Sequence, residues 1–355
     1  MLNKDIIHLD QENNFLAHVD YKTKRVQSMK QHAENVSMFS KNICPLPELK
    51  NMAKLIGILH DAGKLGTENQ NDFKNILEYG DMVHKHGLDH STAGGRITRE
   101  LIKSWSVSEF ISAVIYFHHG LEDCINLENG RSLQERRSEK TIDYEHIKDI
   151  FNQIYKEDQL KKYSEAAIQS YKAIYEKIIQ FSKEYDTSGD RYGNKYFYMG
   201  MYLRMVLSLL IDGDWTDTAC FFQNVPLEKR ISQEETQKIW RLCIEHFEVY
   251  LKNEIQNNPV NGNLLNSFRQ KISDSCRNAA ESDQRLYRLT VPTGAGKTLS
   301  SLRFALYHAK KEQKQRIIYI APFNSILEQN AEEIRKATGM STAVLEHHCN
   351  VICEE

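Results

Sequence analysis

Apolar residues recur every three to four positions through most of the chain, a spacing that predicts amphipathic helices. The first twenty-odd residues are polar and mixed, with Ala17-His18 their one notable feature. From Val26 a helix is expected, with Val26, Met29, Ala33, Val36 and Ile43 on one face and His32 beside it. Cys44-Pro45-Leu46-Pro47 ends it, because proline cannot continue a helix. A second helix starts near Glu48, buries Leu49, Met52, Ala53, Ile56 and Leu59, and stops at Gly63. Residues 68–86 read as a short helix and a loop, and another helix runs from about Ser91 to Ser104. Val107, Phe110, Ile111, Val114 and Ile115 define the next, whose inward face continues to His118 before His119-Gly120 closes it.

Residues 121–195 are rich in Glu, Lys, Arg, Gln and Tyr, and predict a solvated helical insertion outside the active site. An apolar helix follows from Phe197 to Ile211, ending in Asp212-Gly213-Asp214-Trp215-Thr216-Asp217-Thr218, and then a loop over 219–232. Amphipathic helix over 232–280 is broken at 257–262. Near Leu286 the period changes from helical to alternating. Residues 286–291 and 316–321 read as strands, each followed by a helix, which is the start of a parallel α/β sheet. The expected organisation is a helical domain over 1–220, a helical linker over 221–285 and the start of an α/β domain over 286–355.

Composition narrows the class without deciding it. With 355 residues, the chain is long enough for about two domains. A formal net charge of −2 does not advertise nucleic-acid binding, which would need local basic patches. Scattered candidates for such a path are Lys22, Lys24, Arg25, Lys64, Arg96 and Arg99. No apolar run reaches the roughly 18 residues of a membrane span, and the N-terminus lacks the apolar core of a signal peptide. The seven cysteines are scattered; Cys349 and Cys353 lack a partner pair. A cytoplasmic protein with reduced thiols, not attached to a membrane, is expected.

The 14 histidines cluster, and this changes the picture. His32, His60, Asp61, His90, His118, His119 and Asp214 all fall at helix ends or on inward faces. Imidazoles and carboxylates suit divalent transition metals. Adjacent helical residues point about 100° apart, so His60 and Asp61 serve one centre only where a helix ends. A carboxylate bridges two ions and an imidazole does not. One ion would therefore take His32, His60, Asp61 and Asp214, and the second would share Asp61 and take His90, His118 and His119. Two ions about 3.5–4 Å apart clamp a phosphodiester. Lys64 would supply a cation beside the phosphate, and Asp61 the bridge.

A second motif, Thr293-Gly294-Ala295-Gly296-Lys297-Thr298, lies between a predicted strand and a predicted helix, the setting of a phosphate loop. Its glycines let backbone N–H groups approach phosphates at a helix N-terminus. Lys297 would reach the β- and γ-phosphates of ATP, and Thr298 would bind Mg2+. Val291 stands where the strict Gly-x4-Gly-Lys-Thr pattern has its first glycine.

The order His…His-Asp…His…His-His…Asp resembles the HD phosphohydrolase superfamily, which is all-helical. Four stretches, His60-Asp61-Ala62-Gly63-Lys64, Asp89-His90-Ser91-Thr92-Ala93-Gly94-Gly95, His118-His119-Gly120-Leu121 and Asp214-Trp215, look like the nuclease domain of the CRISPR-associated nuclease–helicase of type I systems. In that resemblance Asp214 is the final aspartate ligand, with Asp212 and Asp217 as neighbouring alternatives, and His18, His84 and His86 have no place. The phosphate loop resembles motif I of superfamily 2 helicases, and Ile320-Ala321-Pro322-Phe323-Asn324-Ser325-Ile326-Leu327-Glu328-Gln329 the motif after it, a resemblance that implies an incomplete α/β, RecA-like helicase domain over 286–355.

The resemblance implies metal-dependent cleavage of single-stranded DNA in antiviral defence, on a strand displaced by a guide-RNA surveillance complex. The metal stays open among iron, manganese, cobalt, nickel and zinc. No Asp-Glu box follows residue 298, so helicase and ATPase activity are not expected from this stretch alone. Two rivals stand beside this reading: another HD phosphohydrolase acting on nucleotides or cyclic nucleotides, and a non-catalytic fragment that docks on the surveillance complex.

Overall fold

Two short strands come first. In the computed structural model, which describes residues 15–83, 87–185, 193–226, 231–257 and 263–347, Leu16–Asp20 (β1) pairs antiparallel with Arg25–Ser28 (β2). Val26 lies in β2 opposite Val19, not in the first helix. The helical period misplaced it because Val26 and Met29 are three apart, a spacing that a strand running straight into a helix also produces. The Ser28 side chain accepts from Gln31 N–H, the cap that starts α1 (Met29–Ile43). His84, His86, Cys349, Cys353 and the break at 258–262 lie outside the described residues, as does the N-terminal stretch judged for a signal peptide.

The chain forms two compact units, Met1–Glu228 and Lys229–Glu355. In the first, α2 (Lys50–Leu59) is central: Met52, Leu55, Ile56, Ile58 and Leu59 are all buried, so it is enclosed on more than one face. Against it pack α1, α4 (Ser91–Leu101), α5 (Trp105–Tyr116), α8 (Glu157–Tyr185) and α9 (Gly193–Gln223), and α3 (Thr67–Tyr79), α6 (Leu133–Ser138) and α7 (Tyr144–Ile154) complete the unit. Two glycines permit close approach. A Cβ on Gly94 of α4 would lie 2.0 Å from the Leu59 carbonyl oxygen, and one on Gly63 would lie 2.5 Å from the His90 backbone. Both contacts press the start of α4 against the end of α2.

Two expectations are corrected in this unit. The stretch 121–195 is not merely a solvated insertion. Ile147, Ile150, Phe151, Leu160, Ala167 and Tyr171 belong to the same core as α1 and α2. Burying each large apolar side chain there contributes about 1.5–3 kcal/mol. Its many charges mark outer faces of helices whose inner stripes are apolar. The apolar helix expected to end at Ile211 continues as α9 to Gln223, so Asp214 and Asp217 sit inside a helix, three residues apart on one face.

In the second unit, α10 (Gln233–Asn257), α11 (Asn263–Ala279), α12 (Lys297–Lys311) and α13 (Asn324–Thr338) pack together. Cys243, Phe247, Leu302, Leu306 and Ala337 form its core. Arg303 is buried and donates to Glu248 at 2.7 and 2.8 Å and to Asp274 at 2.8 Å, tying α12 to α10 and α11. Residues 221–285 therefore supply two of the helices around which this unit is built. The predicted strands at 286–291 and 316–321 form no ladder; the sheet among the described residues is β1 with β2. A strand is stabilised by a paired neighbour, and here Leu286, Ile318 and Ile320 face solvent instead. Among the described residues no helix is long and apolar enough to cross a membrane.

Candidate metal centre

The site is assembled from ends. His60 closes α2 in helical conformation (φ −56°, ψ −43°), and Asp61 leaves it at φ −105°, ψ 18°. That change of backbone direction lets two adjacent side chains face one point, which a continuing helix forbids. His32 reaches the same point from the buried face of α1, and Asp214 from inside α9. The four residues His32, His60, Asp61 and Asp214 converge and are all buried.

Asp61 Oδ2 lies 3.2 Å from His32 Nε2 and 3.4 Å from His60 Nε2. Asp214 Oδ1 lies 3.4 Å from His32 Nε2 and 3.7 Å from His60 Nε2. The other carboxylate oxygen, Asp61 Oδ1, faces a different set. His118 Nε2 is 3.2 Å from it and His90 Nε2 is 3.9 Å away. His119, exposed, completes the second group with Asp61, His90 and His118, and its Nε2 meets His90 Nε2.

Local structure places the second group. His90 stands at the N-terminal cap of α4, and the Asp89 carboxylate just before it accepts from Thr92 N–H at 2.9 Å. Gly63 N–H donates to His90 O at 3.0 Å, fastening this corner to the His60-Asp61 turn. Arg137 of α6 is buried and donates to Asp89, Ser91, Thr92 and the Tyr116 carbonyl. One guanidinium from the expected insertion thus ties the start of α4 to the end of α5, which precedes His118 and His119.

Each inner imidazole has its tautomer set by a partner. His60 Nδ1 donates to Gly57 O at 2.9 Å, His118 Nδ1 to Ile115 O at 2.6 Å and His90 Nδ1 to Leu88 O at 3.0 Å. His32 Nδ1 donates to Asp217 Oδ2 at 2.7 Å. Carbonyls and carboxylates only accept, so Nδ1 carries the proton and Nε2 offers a lone pair. His32 Nε2, His60 Nε2, His118 Nε2 and Asp61 Oδ1 are buried without a hydrogen-bond partner. Lone pairs turned toward carboxylate oxygens at such distances need positive charge between them. Ligand atoms about 2.0–2.2 Å from one ion stand about 3 Å or slightly more apart. The donor set, its burial and its orphaned atoms fit divalent metal.

Electrostatics separates the two halves. Burial alone would lower His32 and His60, but the surrounding carboxylates outweigh it and hold them up at about 9 and about 10. Burial likewise opposes ionisation of Asp61, yet His60 and Lys64 hold its carboxyl well below the usual range. Asp214 is held low against burial by the His32 and His60 imidazoles that face it. In the other half, burial and neighbouring imidazoles lower His119 to about 4, and burial first lowers His90. A proton therefore competes for the first cluster, whereas the imidazoles of His90 and His119 stay neutral.

Lys64 is buried, with Nζ 2.7 Å from Asp61 Oδ2. Sequence reasoning weighed Asp217 only as an alternative to Asp214, not as the partner of His32, and gave His18 no place. Asp217 holds His32, and His18 Nε2 accepts from Lys64 Nζ at 3.2 Å. The three-residue spacing of Asp217 from Asp214 was a usable signal once α9 was known to continue; His18 had none.

In the second unit, Gly294 (φ 81°) and Gly296 (φ 80°) adopt left-handed backbone, and Lys297 and Thr298 open α12. Thr293, Gly294, Gly296, Lys297 and Thr298 line a cavity of about 620 Å³ with Gln329 and Glu333, while Ala295 is buried. Arg269 donates to Gly294 O at 3.0 and 2.8 Å.

A helical domain closing on a buried His/Asp cluster able to hold metal is the arrangement of a metal-dependent hydrolase. Residues 29–150 match the family model described as HD domain, and residues 254–353 the one described as Type III restriction enzyme, res subunit. The chain carries an HD domain together with a superfamily 2 helicase-like domain. The first match spans every expected ligand except Asp214, and the second spans the phosphate loop. No curated protein matches the chain.

Proposed function

We propose that this chain is a metal-dependent nuclease that cuts single-stranded DNA in CRISPR type I antiviral defence, with residues 1–220 as the nuclease domain. The observation that carries the reading is Asp61, whose two carboxylate oxygens face two different ligand sets. His32, His60, Asp61 and Asp214 would hold one divalent ion, and Asp61, His90, His118 and His119 the other. When bound, such a pair activates the attacking water and neutralises charge on the leaving oxygen of a phosphodiester. The chain's own residues prepare that chemistry: Nδ1 hydrogen bonds hold the imidazoles with Nε2 inward, and Asp61 is held ionised. Lys64 brings a cation to the same carboxylate, in place to meet phosphate charge.

The helicase-like match on the same chain supports a polynucleotide substrate over a mononucleotide. In this reading the loop at 293–298 takes ATP and Mg2+, and a guide-RNA surveillance complex supplies the displaced strand. The test is circular single-stranded DNA given to metal-stripped protein with iron, manganese, cobalt, nickel or zinc added back, beside a nucleotide and cyclic-nucleotide panel. Linearised circles are the expected result. Nucleotide hydrolysis with intact circles would assign another HD phosphohydrolase, and metal binding without hydrolysis of either would assign a non-catalytic role.

A further inference from the structure

We propose that His18 is a positioning residue for the metal centre: it receives the Lys64 ammonium when a divalent cation takes Asp61, and keeps that ammonium beside the site. The proposal rests on the metal-centre reading above. Its basis is a continuous hydrogen-bond chain. Gln27 Nε2 donates to Asp217 Oδ2 at 2.9 Å, which leaves Gln27 Oε1 as an acceptor. His18 Nδ1 lies 2.7 Å from that Oε1, so Nδ1 carries the proton and His18 Nε2 is an acceptor. Lys64 Nζ stands 3.2 Å from His18 Nε2 and 2.7 Å from Asp61 Oδ2. One ammonium is thus shared between a carboxylate that a metal would claim and an imidazole that it would not.

The fold presents His18 for this task. It pairs with Gln27 across the hairpin, and the register of β1 on β2 is irregular between Leu16 and His18, the kind of bulge that re-aims a side chain. Gln70 of α3 is buried, and its amide clamps the strand to the lysine: it accepts from Leu16 N–H at 2.9 Å and donates to Leu16 O at 2.8 Å and Lys64 O at 2.7 Å. The His18 and His32 rings meet edge-on, centroids 4.6 Å apart.

His18, His32 and Asp217 also stand close enough to suggest a third metal site. The hydrogen bonds argue otherwise. His32 Nδ1 already donates to Asp217 Oδ2, and His18 reaches the same carboxylate through Gln27. The group is a relay that orients a ligand imidazole on one branch and the lysine on the other.

The test is metal affinity, read by competition with a chelating dye, in the full chain and in His18→Ala, His18→Gln, Lys64→Met and the double variant His18→Ala with Lys64→Met. Without His18 the ammonium clings to Asp61, so His18→Ala should bind metal about tenfold more weakly. His18→Gln keeps an acceptor near Nε2 and should recover most of that loss. In the double variant no ammonium competes, and affinity should return to the parent value or better. An unchanged His18→Ala affinity overturns the proposal, and so does a double variant as weak as His18→Ala, which would mean structural damage. One bound ion fewer in His18→Ala would make His18 a ligand instead. If the parent chain binds no metal, the metal-centre reading itself fails, a result separate from all of these.

Discussion

Asp61 Oδ1 and His118 Nε2 lie 3.2 Å apart, both buried, and neither has a hydrogen-bond partner. Two acceptors held in this way, with Oδ2 of the same carboxylate turned to His32 and His60, make Asp61 the common corner of both clusters.

Removing that corner should therefore affect both ions. Asp61→Ala is expected to lower DNA cleavage by about a hundredfold or more, since weaker perturbations around metal ligands already cost 10–100-fold. Elemental analysis should show bound metal falling together with activity. Full occupancy in this variant would sink the shared-carboxylate scheme.

Asp217 acts one step further out. It accepts from His32 Nδ1, Gln27 Nε2 and Asn35 Nδ2, so every bond it makes is to a donor. Asp217→Asn turns an NH2 group on one of those donors. Metal affinity should fall about 10–100-fold, read by titration of the stripped protein.

The two raised imidazoles predict a pH dependence whose direction metal changes. In the metal-free fold His32 and His60 keep protons up to about 9 and about 10, whereas unfolding returns them to the ordinary imidazole value of about 6.5. The folded state then binds more protons, so their contribution is fully present below pH 6.5 and is lost as pH rises through 9–10. Thermal unfolding in chelator should show the melting temperature falling from pH 6.5 to 8.5. With saturating divalent metal the folded imidazoles carry no Nε2 proton, and that fall should disappear.

Gly63 tests the packing that brings the clusters together. A Cβ there would stand 2.5 Å from the His90 backbone. Gly63→Ala should destabilise by about 1–3 kcal/mol in denaturant unfolding, as overpacking does. Metal binding should weaken as well, because His90 must shift.

Lys297 lies in the second unit and the metal cluster in the first. Lys297→Ala should weaken ATP binding by about tenfold, through loss of a charge-assisted contact to phosphate. ATP-independent cutting should stay within about twofold, as expected of sites that belong to different compact units and share no partner. A larger loss in a gel assay would show the two units to be coupled.

Much of the helical domain was legible in local pattern. The three-to-four spacing around His32, His60 and His118 places each imidazole on or beside an apolar face, and these three are buried. The glycines of Ala93-Gly94-Gly95 had no visible purpose until Gly94 was found against the Leu59 carbonyl and Gly95 against the Tyr116 ring. The acidic and basic tone of 121–195 misled, since charge on an outer face says nothing about the apolar stripe behind it. The alternating segments near 286 and 316 misled in the opposite sense, because a strand depends on a neighbour that its own pattern does not supply.

By itself the sequence determined the apolar faces of α1, α2 and α5 and the imidazoles on or beside them, because these follow from local period. Tertiary structure alone decided that Asp217 grips His32 across 185 residues and that His18 meets Lys64 across 46. Those bonds join elements whose local patterns carry no record of one another. They form only because packing brings α9 against α1 and the hairpin against the Lys64 turn, where buried polar groups need hydrogen-bond partners.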